Sequence, residues 1–306
     1  MEIPFTQTQI WARINQYFNR LDPTLIEHSE IKCLFGIDKK NSSLTSFNGP
    51  IASEEISAQE FNDFLKKVLK TAKENRILDV NFRSLPPMRQ WNLGVELEFL
   101  KMGFKKQEWQ TFIVDLRASE ENLLKSFDHS ARKGIKKTTS LGVLVERCDR
   151  FEKFFKRFLI PYCNATKREI KEKKFYENGW DLDTENVYNY WTAQTEQGEP
   201  LGFLGTYRYN SVATEIMSSL TPLALERKIP VQDLLHWEIM RYHKTLGDSY
   251  FDLAGFNPNP ISEKEKNIKR FKQKWEGEVY DVSSYTFDGR SYIKKLILSI
   301  AGKIYA

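Results

Sequence analysis

The residues best suited to chemistry lie in the last third of the chain. Tyr250-Phe-Asp-Leu-Ala-Gly-Phe-Asn-Pro-Asn-Pro260 reads as a β-rich run ending in a Gly/Pro/Asn loop. A basic segment, Ile268-Lys-Arg-Phe-Lys-Gln-Lys-Trp275, follows it. That segment sets Phe271 beside Lys272, with Arg270 just before them, at what reads as a loop-to-strand transition. An ordinary exposed basic hairpin is the plain alternative. A second group is Glu226-Arg-Lys-Ile-Pro-Val-Gln232, between a strand ending near Leu220 and a helix starting near Val231. Pro230 suits a first helical turn, and the N–H groups at a helix start attract anions. Arg227 and Lys228 add full charges there. A capped helix with solvated neighbours explains the same residues without a ligand.

Other chemistries find no support. The four histidines are scattered, and none has a readable Ser/Asp partner for nucleophilic catalysis. His236 and His243, seven apart on one predicted helix, read as helix-surface residues. The chain carries no G-x-x-x-x-G-K-[ST] and no G-x-G-x-x-G after a strand, so neither the P-loop nor the dinucleotide reading applies. Cys33, Cys148 and Cys163 are far apart and form no Cys/His cluster, which argues against a structural metal. What remains is a site that works by positioning and by charge.

The elements that must position such a site alternate between helix and strand. Thr8–Asn15 has a short amphipathic pattern, Glu30–Gly36 alternates like a strand, and Asp38–Asn48 is turn-rich. Glu60–Glu74 places Phe61, Phe64, Leu65, Val68 and Leu69 on one helical face. Ile77–Phe82 reads as a strand, Ser84–Pro87 as a loop, Glu96–Met102 as a helix stopped by Gly103, and Trp109–Leu116 as a strand. Ser119, followed by Glu120 and Glu121, opens a helix whose stripe is Leu123, Phe127, Ala131 and Ile135 and which runs to Gly142. A strand at Val143–Glu146 follows, and the boundary between halves is expected near Asp149. The second half then offers a helix at Phe151–Tyr162, strands at Leu201–Tyr209 and Val212–Leu220, a helix at Val231–His243, a strand at Tyr250–Leu253 and a closing helix at Tyr292–Tyr305. The expected class is α/β with mixed sheets, in two domains, 1–148 and 149–306.

Composition narrows the class further. The 306 residues are 41% hydrophobic and 13% aromatic, ample for a buried core. Mean hydropathy is −0.53, and no apolar run approaches the ~18 residues of a bilayer span. The start, Met-Glu-Ile-Pro-Phe-Thr-Gln, lacks a basic region followed by an apolar stretch, so a cytoplasmic protein is expected. Net charge is +5 and the isoelectric point about 8.8, mild for a nucleic-acid-coating protein but compatible with a phosphate-bearing partner. Basic residues gather in Lys125–Lys137 and Lys153–Lys174, where solvated helix faces are the default reading.

Several segments, in order, resemble the Fem-type (FemABX) peptidyltransferases, which are built on the GNAT acyltransferase fold. Gln9-Ile-Trp-Ala12 is similar to the family's opening Gln-x-x-Trp-Ala helix, and Gly49-Pro-Ile51 to its Gly-Pro-Val. Met102-Gly-Phe104 precedes a strand as the family's Gly-Phe does. Arg132-x-x-Ile-Lys-Lys137 with Gly142-Val143 resembles Arg-x-x-Ile-Arg-Lys…Gly-Val, and Thr166-Lys-Arg168 resembles a Thr-x-Arg turn. Gly202 lies in a strand like the family's Gly-containing one. The family's Tyr-Asp-Leu-Gly-Gly strand leading to a Phe-Lys pair is matched by Asp252 and Phe271-Lys272. Two departures stand out. Ile216-Met-Ser-Ser219 stands where the family's strand, which helps form the acceptor pocket, often carries an aromatic near Ser218. No long charged coiled-coil arm interrupts the second half, as in the compact members.

The resemblance implies two packed GNAT-like domains, the first on the acceptor side and the second on the donor side. It implies transfer of an amino acid from aminoacyl-tRNA to an amine of a peptidoglycan precursor or other peptide acceptor, with no cofactor beyond that co-substrate. Lys272 would face the tetrahedral oxyanion, a contribution of ~3–4 kcal/mol, with the Phe271 backbone shaping the site. Arg13, Arg132 and Arg168 would hold acceptor phosphates. Arg227, Lys228, Gln232, Asp252, Arg270, Lys136, Lys137 and Ser218 complete the candidate binding set. No general base is visible. Charged tRNA and a nucleotide- or lipid-linked envelope precursor are the expected partners, with peripheral membrane contact a further expectation. Two alternatives remain open: an acyl-CoA-dependent N-acyltransferase acting on an amino sugar or surface polysaccharide precursor, and a non-catalytic phosphate- or RNA-binding module. The loop at Arg227–Gln232 lacks the glycines of a pyrophosphate cradle, which favours the tRNA donor over CoA.

Overall fold

A computed structural model describes residues 7–18, 21–52, 55–83, 93–181, 183, 187–209 and 211–290. The chain forms two compact units, Met1–Trp109 with Val282–Ala306, and Gln110–Asp281. The division expected at 148/149 falls inside the second unit, because helices before that point pack on helices after it. Gly134 lies so close to Asp233 that a β-carbon on it would stand 1.8 Å from the Asp233 carboxylate.

Unit 1 runs through α1 (Gln9–Phe18), β1 (Asp22–His28), β2 (Ile31–Asp38), β3 (Ser43–Phe47), β4 (Ile51–Ala52), α2 (Ala58–Glu74), β5 (Asp79–Arg83) and α3 (Leu93–Lys101). Ser57 starts α2 with a reciprocal capping box to Glu60. The stripe expected on α2 is its buried face: Phe61, Phe64, Leu65 and Val68 are fully buried. They meet Phe35, Phe82 and Phe99 in an aromatic core where Phe99 stacks on Tyr285 at 4.0 Å. The segment read as turn-rich contains β3, which pairs antiparallel with β2 and parallel with β5. Its Ser/Thr content hid a strand that is buried at Leu44, Thr45 and Ser46.

Unit 2 begins within β6 (Lys105–Asp115) and continues through α4 (Glu120–Ser126), α5 (His129–Ser140) and β7 (Leu144–Arg147). A helical stretch follows, α6 (Phe151–Lys153), a π-helical turn at Phe154–Leu159 and α7 (Ile160–Thr166), then α8 (Lys173–Asp181), β8 (Tyr188–Gln194), β9 (Pro200–Tyr209) and β10 (Val212–Leu220). The last elements are α9 (Pro222–Glu226), α10 (Val231–Thr245), β11 (Tyr250–Phe256), α11 (Glu263–Gln273) and β12 (Glu278–Asp288). β12 re-enters unit 1 and pairs antiparallel with β5. The strands of unit 2 run in the order β6-β11-β10-β9-β8-β7. Only β10 and β11 are parallel there, and their ladder covers just Val212↔Tyr250 to Thr214↔Asp252.

Three readings change. The single helix expected from Ser119 to Gly142 is two, because Phe127 is extended and Asp128 caps α5 through Ser130 N. The apolar stripe survives the break, with Leu123, Phe127, Ala131 and Ile135 all in one core. The segment holding Phe271-Lys272 is a helix, not a loop-to-strand transition, because Ser262 and Glu265 form a capping box that starts α11. Elements α8, β8, α9 and β12 were not foreseen; β8 is almost continuously buried and so shows no alternation. The loop read at Ser84–Pro87 and the helix read at Tyr292–Tyr305 lie outside the described residues. No described helix is long and apolar enough to cross a membrane.

Candidate active site

The site grows out of the short parallel ladder of unit 2. After Asp252 the register of β11 slips against β6, and after Glu215 that of β10 slips against β9. Two strands that pair for three residues and then bulge leave backbone groups for other partners. At the β11 bulge Ala254 has φ +62°, a left-handed conformation that glycine adopts more readily. The carbonyl oxygens of Ala254 and Gly255 accept hydrogen bonds from the Lys272 ammonium at 2.9 and 3.1 Å.

Lys272 reaches them from the last turn of α11, on the side that buries Phe271 and Trp275. The residue is only 8% exposed. Two of its three N–H bonds are taken, and the third has no partner among the described residues. Burial pushes its pKa below the ordinary lysine value, while the charges of Glu215 and Asp252 pull it back up. Asp252 is tied down by Thr111 Oγ1 and, at 2.8 Å, by Ala254 N. Burial raises its carboxyl above the usual range; those hydrogen bonds and Lys272 offset this only in part.

On the other side of the ladder's end stands Glu215. Its Oε1 accepts from Ser218 Oγ at 2.6 Å, and its Oε2 lies 3.2 Å from His236 Nε2. Burial acts to raise this carboxyl, but His236, Lys272 and Ser218 together outweigh it and hold it below the ordinary value. His236 is 1% exposed, so the helix-surface reading fails. It stacks on Trp275 at 5.4 Å and meets the Phe271 ring edge-on at 5.0 Å. The Phe271 ring is therefore packed against the His236 imidazole. Lys274 locks the arrangement from below: it pairs with Asp233 of α10 and sits 4.1 Å over the Phe271 ring.

His243 is buried too. Its Nδ1 lies 2.8 Å from Asp248 Oδ2 and its Nε2 3.0 Å from Thr206 Oγ1, so it does have the partners that sequence could not show. Thr206 and His243 are both fully buried, and Arg208 closes the far side of Asp248. A nucleophile sealed this way meets no substrate; the chain of bonds ties β9 to the end of α10.

Of the residues singled out from sequence, Lys272, Phe271, Asp252 and Ser218 converge here. Gln232 is close by, but its amide donates to Phe203 O and Ser219 O, stapling β9 to β10, and its Oε1 is buried without a partner. Arg270 is exposed and, among the described residues, reaches only Asn267. Arg132, proposed to hold phosphate, spends its guanidinium on Lys125 O and Phe127 O, the open carbonyls at the end of α4. Arg168 follows the α7 C-cap, where Lys167 has φ 55°, and lies over the Tyr162 ring. Arg13 is exposed on α1 in the other unit, so the three arginines do not share one unit.

The loop between β10 and α10 differs from an anion cradle in a definite way. It contains α9, capped by Thr221, which sequence reading missed. The N–H groups of Arg227, Lys228, Ile229, Val231 and Asp233 all bond to carbonyls within the loop. Lys137 and Thr138 of α5 then cover Lys228 O and Pro230 O. Arg227 pairs loosely with Glu199 at 3.7 Å, and Lys136 is exposed. Among the described residues no group of His, Cys, Asp and Glu could hold a metal ion.

The two units and their mixed sheet are consistent with two GNAT-like domains. A tandem GNAT protein from the clavulanic acid biosynthesis pathway shares the fold at 10% identity and a TM-score of 0.56, over 85% of this chain and 79% of that one. The crystal structure of FemX matches at 13% identity and a TM-score of 0.65, over 96% and 94%. The C-terminal domain of a putative lysylphosphatidylglycerol synthetase from Agrobacterium fabrum matches at 13% identity and a TM-score of 0.58, over 95% and 94%. No curated protein matches the sequence. Residues 88–188 match the model of the FemAB family.

Proposed function

We propose that the protein is an aminoacyltransferase that moves an amino acid from aminoacyl-tRNA to an amine of a peptidoglycan precursor or another peptide acceptor. The observation that carries this reading is Lys272. A buried ammonium, fixed by two carbonyls and left with one unspent N–H at the open end of a parallel ladder, is a preorganised donor for a developing oxyanion. Ligands of open α/β sheets bind at such strand ends. The FemAB-family match over residues 88–188 and the likeness to FemX and to the lysylphosphatidylglycerol synthetase domain support the tRNA donor.

The chemistry needs no cofactor. The acceptor amine attacks the ester carbonyl, the carbonyl oxygen takes up negative charge against Lys272, and the C–O bond to the ribose breaks. Acyl-CoA as donor is disfavoured by the self-bonded N–H groups of residues 227–233, which leave a pyrophosphate few backbone donors. Titration calorimetry tests the choice. Charged tRNA is expected to bind with an affinity that falls steeply with salt, and acetyl-CoA to give no heat. Tight, salt-insensitive acetyl-CoA binding would transfer the protein to the acyl-CoA alternative.

A further inference from the structure

Glu215 and His236 form a pair that the steps above leave unused. His236 Nδ1 lies 2.7 Å from Gln232 O, a backbone carbonyl that can only accept, so Nδ1 carries a hydrogen. The second nitrogen, Nε2, faces Glu215 Oε2 at 3.2 Å. A neutral imidazole with its hydrogen on Nδ1 presents a lone pair at Nε2, and a lone pair against a carboxylate oxygen is repulsive. The imidazole is 1% exposed and the Glu215 side chain 11%, so water screens this contact poorly. The contact becomes attractive once a hydrogen lies between Oε2 and Nε2. The surroundings decide which atom holds it. Ser218 donates to Oε1, and Lys272 on α11 adds positive charge, both favouring the ionised carboxylate. Asp252 on β11 and Asp233 on α10 add negative charge nearby, which favours a cationic ring.

We infer that Glu215 and His236 share one proton, resident on His236 Nε2, and together form the proton-transfer pair of the site, with exposed Ser218 linking Glu215 Oε1 to the reactants. The catalytic half of this inference rests on the acyl-transfer reading; the shared proton does not. The acceptor ammonium first loses one proton to solvent. As its nitrogen bonds to the acyl carbon, Glu215 takes a second proton through Ser218 and returns it to the ribose oxygen as the ester C–O bond breaks. One N–C bond forms, one C–O bond breaks, and the proton moves from nitrogen to oxygen. His236 touches no reactant; it is a positioning residue whose charge keeps Glu215 ionised and aimed.

Two measurements test this on the full chain. With only four histidines in the sequence, nitrogen-15 histidine spectra are simple to read. His236 should appear as imidazolium at neutral pH, and Glu215→Gln, whose amide donates to Nε2, should turn it into neutral imidazole. A neutral His236 in the unaltered protein overturns the shared proton. In transfer assays Glu215→Gln should lower kcat by about 100-fold, the lower end of general acid–base effects, with KM for both substrates within about twofold. Unchanged kcat in that variant, beside an inactive Lys272→Met, overturns the catalytic role while leaving acyl transfer intact. If the unaltered protein transfers from no charged tRNA, the acyl-transfer reading fails, and with it the catalytic role; the spectra still decide the shared proton.

Discussion

Replacing Lys272 with methionine separates catalysis from folding. Methionine matches the length of the lysine stem but cannot donate to Ala254 O and Gly255 O. Hydrogen bonds from a charged donor are worth ~1.5–3 kcal/mol each, and a buried acceptor left unsatisfied costs ~1–3 kcal/mol. Against these losses stands the relief of a buried ammonium, whose depressed pKa shows that the fold disfavours its charge. The expected net destabilisation is therefore only about 1–3 kcal/mol, a few degrees in Tm. The loss of one oxyanion donor is expected to lower kcat at least ~100-fold. The same pKa direction fixes two pH dependences. The folded group gives up its proton at a lower pH than the unfolded one, so the native state gains stability as pH rises from the folded value towards the ordinary lysine value. Methionine should erase that alkaline gain. Turnover needs the ammonium, so it should fall on an alkaline limb centred below the ordinary lysine value. Thermal melts from pH 7 to 11, with transfer rates over the same range, check both. A folded methionine variant with near-normal turnover would refute the reasoning.

Other residues give sharper local outcomes. Asp252→Asn keeps an oxygen for Thr111 and Ala254 N but removes a charge that raises the Lys272 pKa, so the alkaline limb of the rate profile should move to lower pH; an unmoved limb would dismiss the coupling. Gly134→Ala would drive its β-carbon into Asp233 and break that residue's pairing with Lys274, an expected loss of ~3–5 kcal/mol by chemical denaturation. Ala254→Gly removes the left-handed strain on a side-chain-bearing residue and should leave turnover unchanged with stability equal or up to ~1 kcal/mol higher. Charge reversal at Lys133, Lys136 and Lys137 should raise KM for charged tRNA far more than it lowers kcat, and should flatten the salt dependence of binding; donor binding indifferent to both would assign that face to solvent.

Much of the fold was legible because its helices are amphipathic and its turns carry strong signals. The α2 stripe and the hairpin β9–β10 are where the sequence places them. Legibility failed where local pattern and tertiary role diverge. Lys272 sits on a helix whose exposed charges made Phe271-Lys272 look like a loop, and only the Ser262–Glu265 capping box marked the helix start. His236 could not be read as buried, since its burial comes from Trp275 and Phe271, 39 and 35 positions further on, and its partner Glu215 lies on strand β10. Arg132 was legible as basic but not as occupied, because the carbonyls it caps exist only once α4 ends at Ser126. Side chains that bond their own helix ends leave no trace in spacing.

The donor is the central claim, and one experiment addresses it directly. The protein is offered a labelled amino acid on tRNA, or labelled acetyl-CoA, each with an amine-bearing peptide acceptor and each with and without ribonuclease. Label should pass from the charged tRNA to the amine, with ribonuclease abolishing the transfer and acetyl-CoA yielding no product. Ribonuclease-resistant transfer from acetyl-CoA, with none from charged tRNA, would contradict the account.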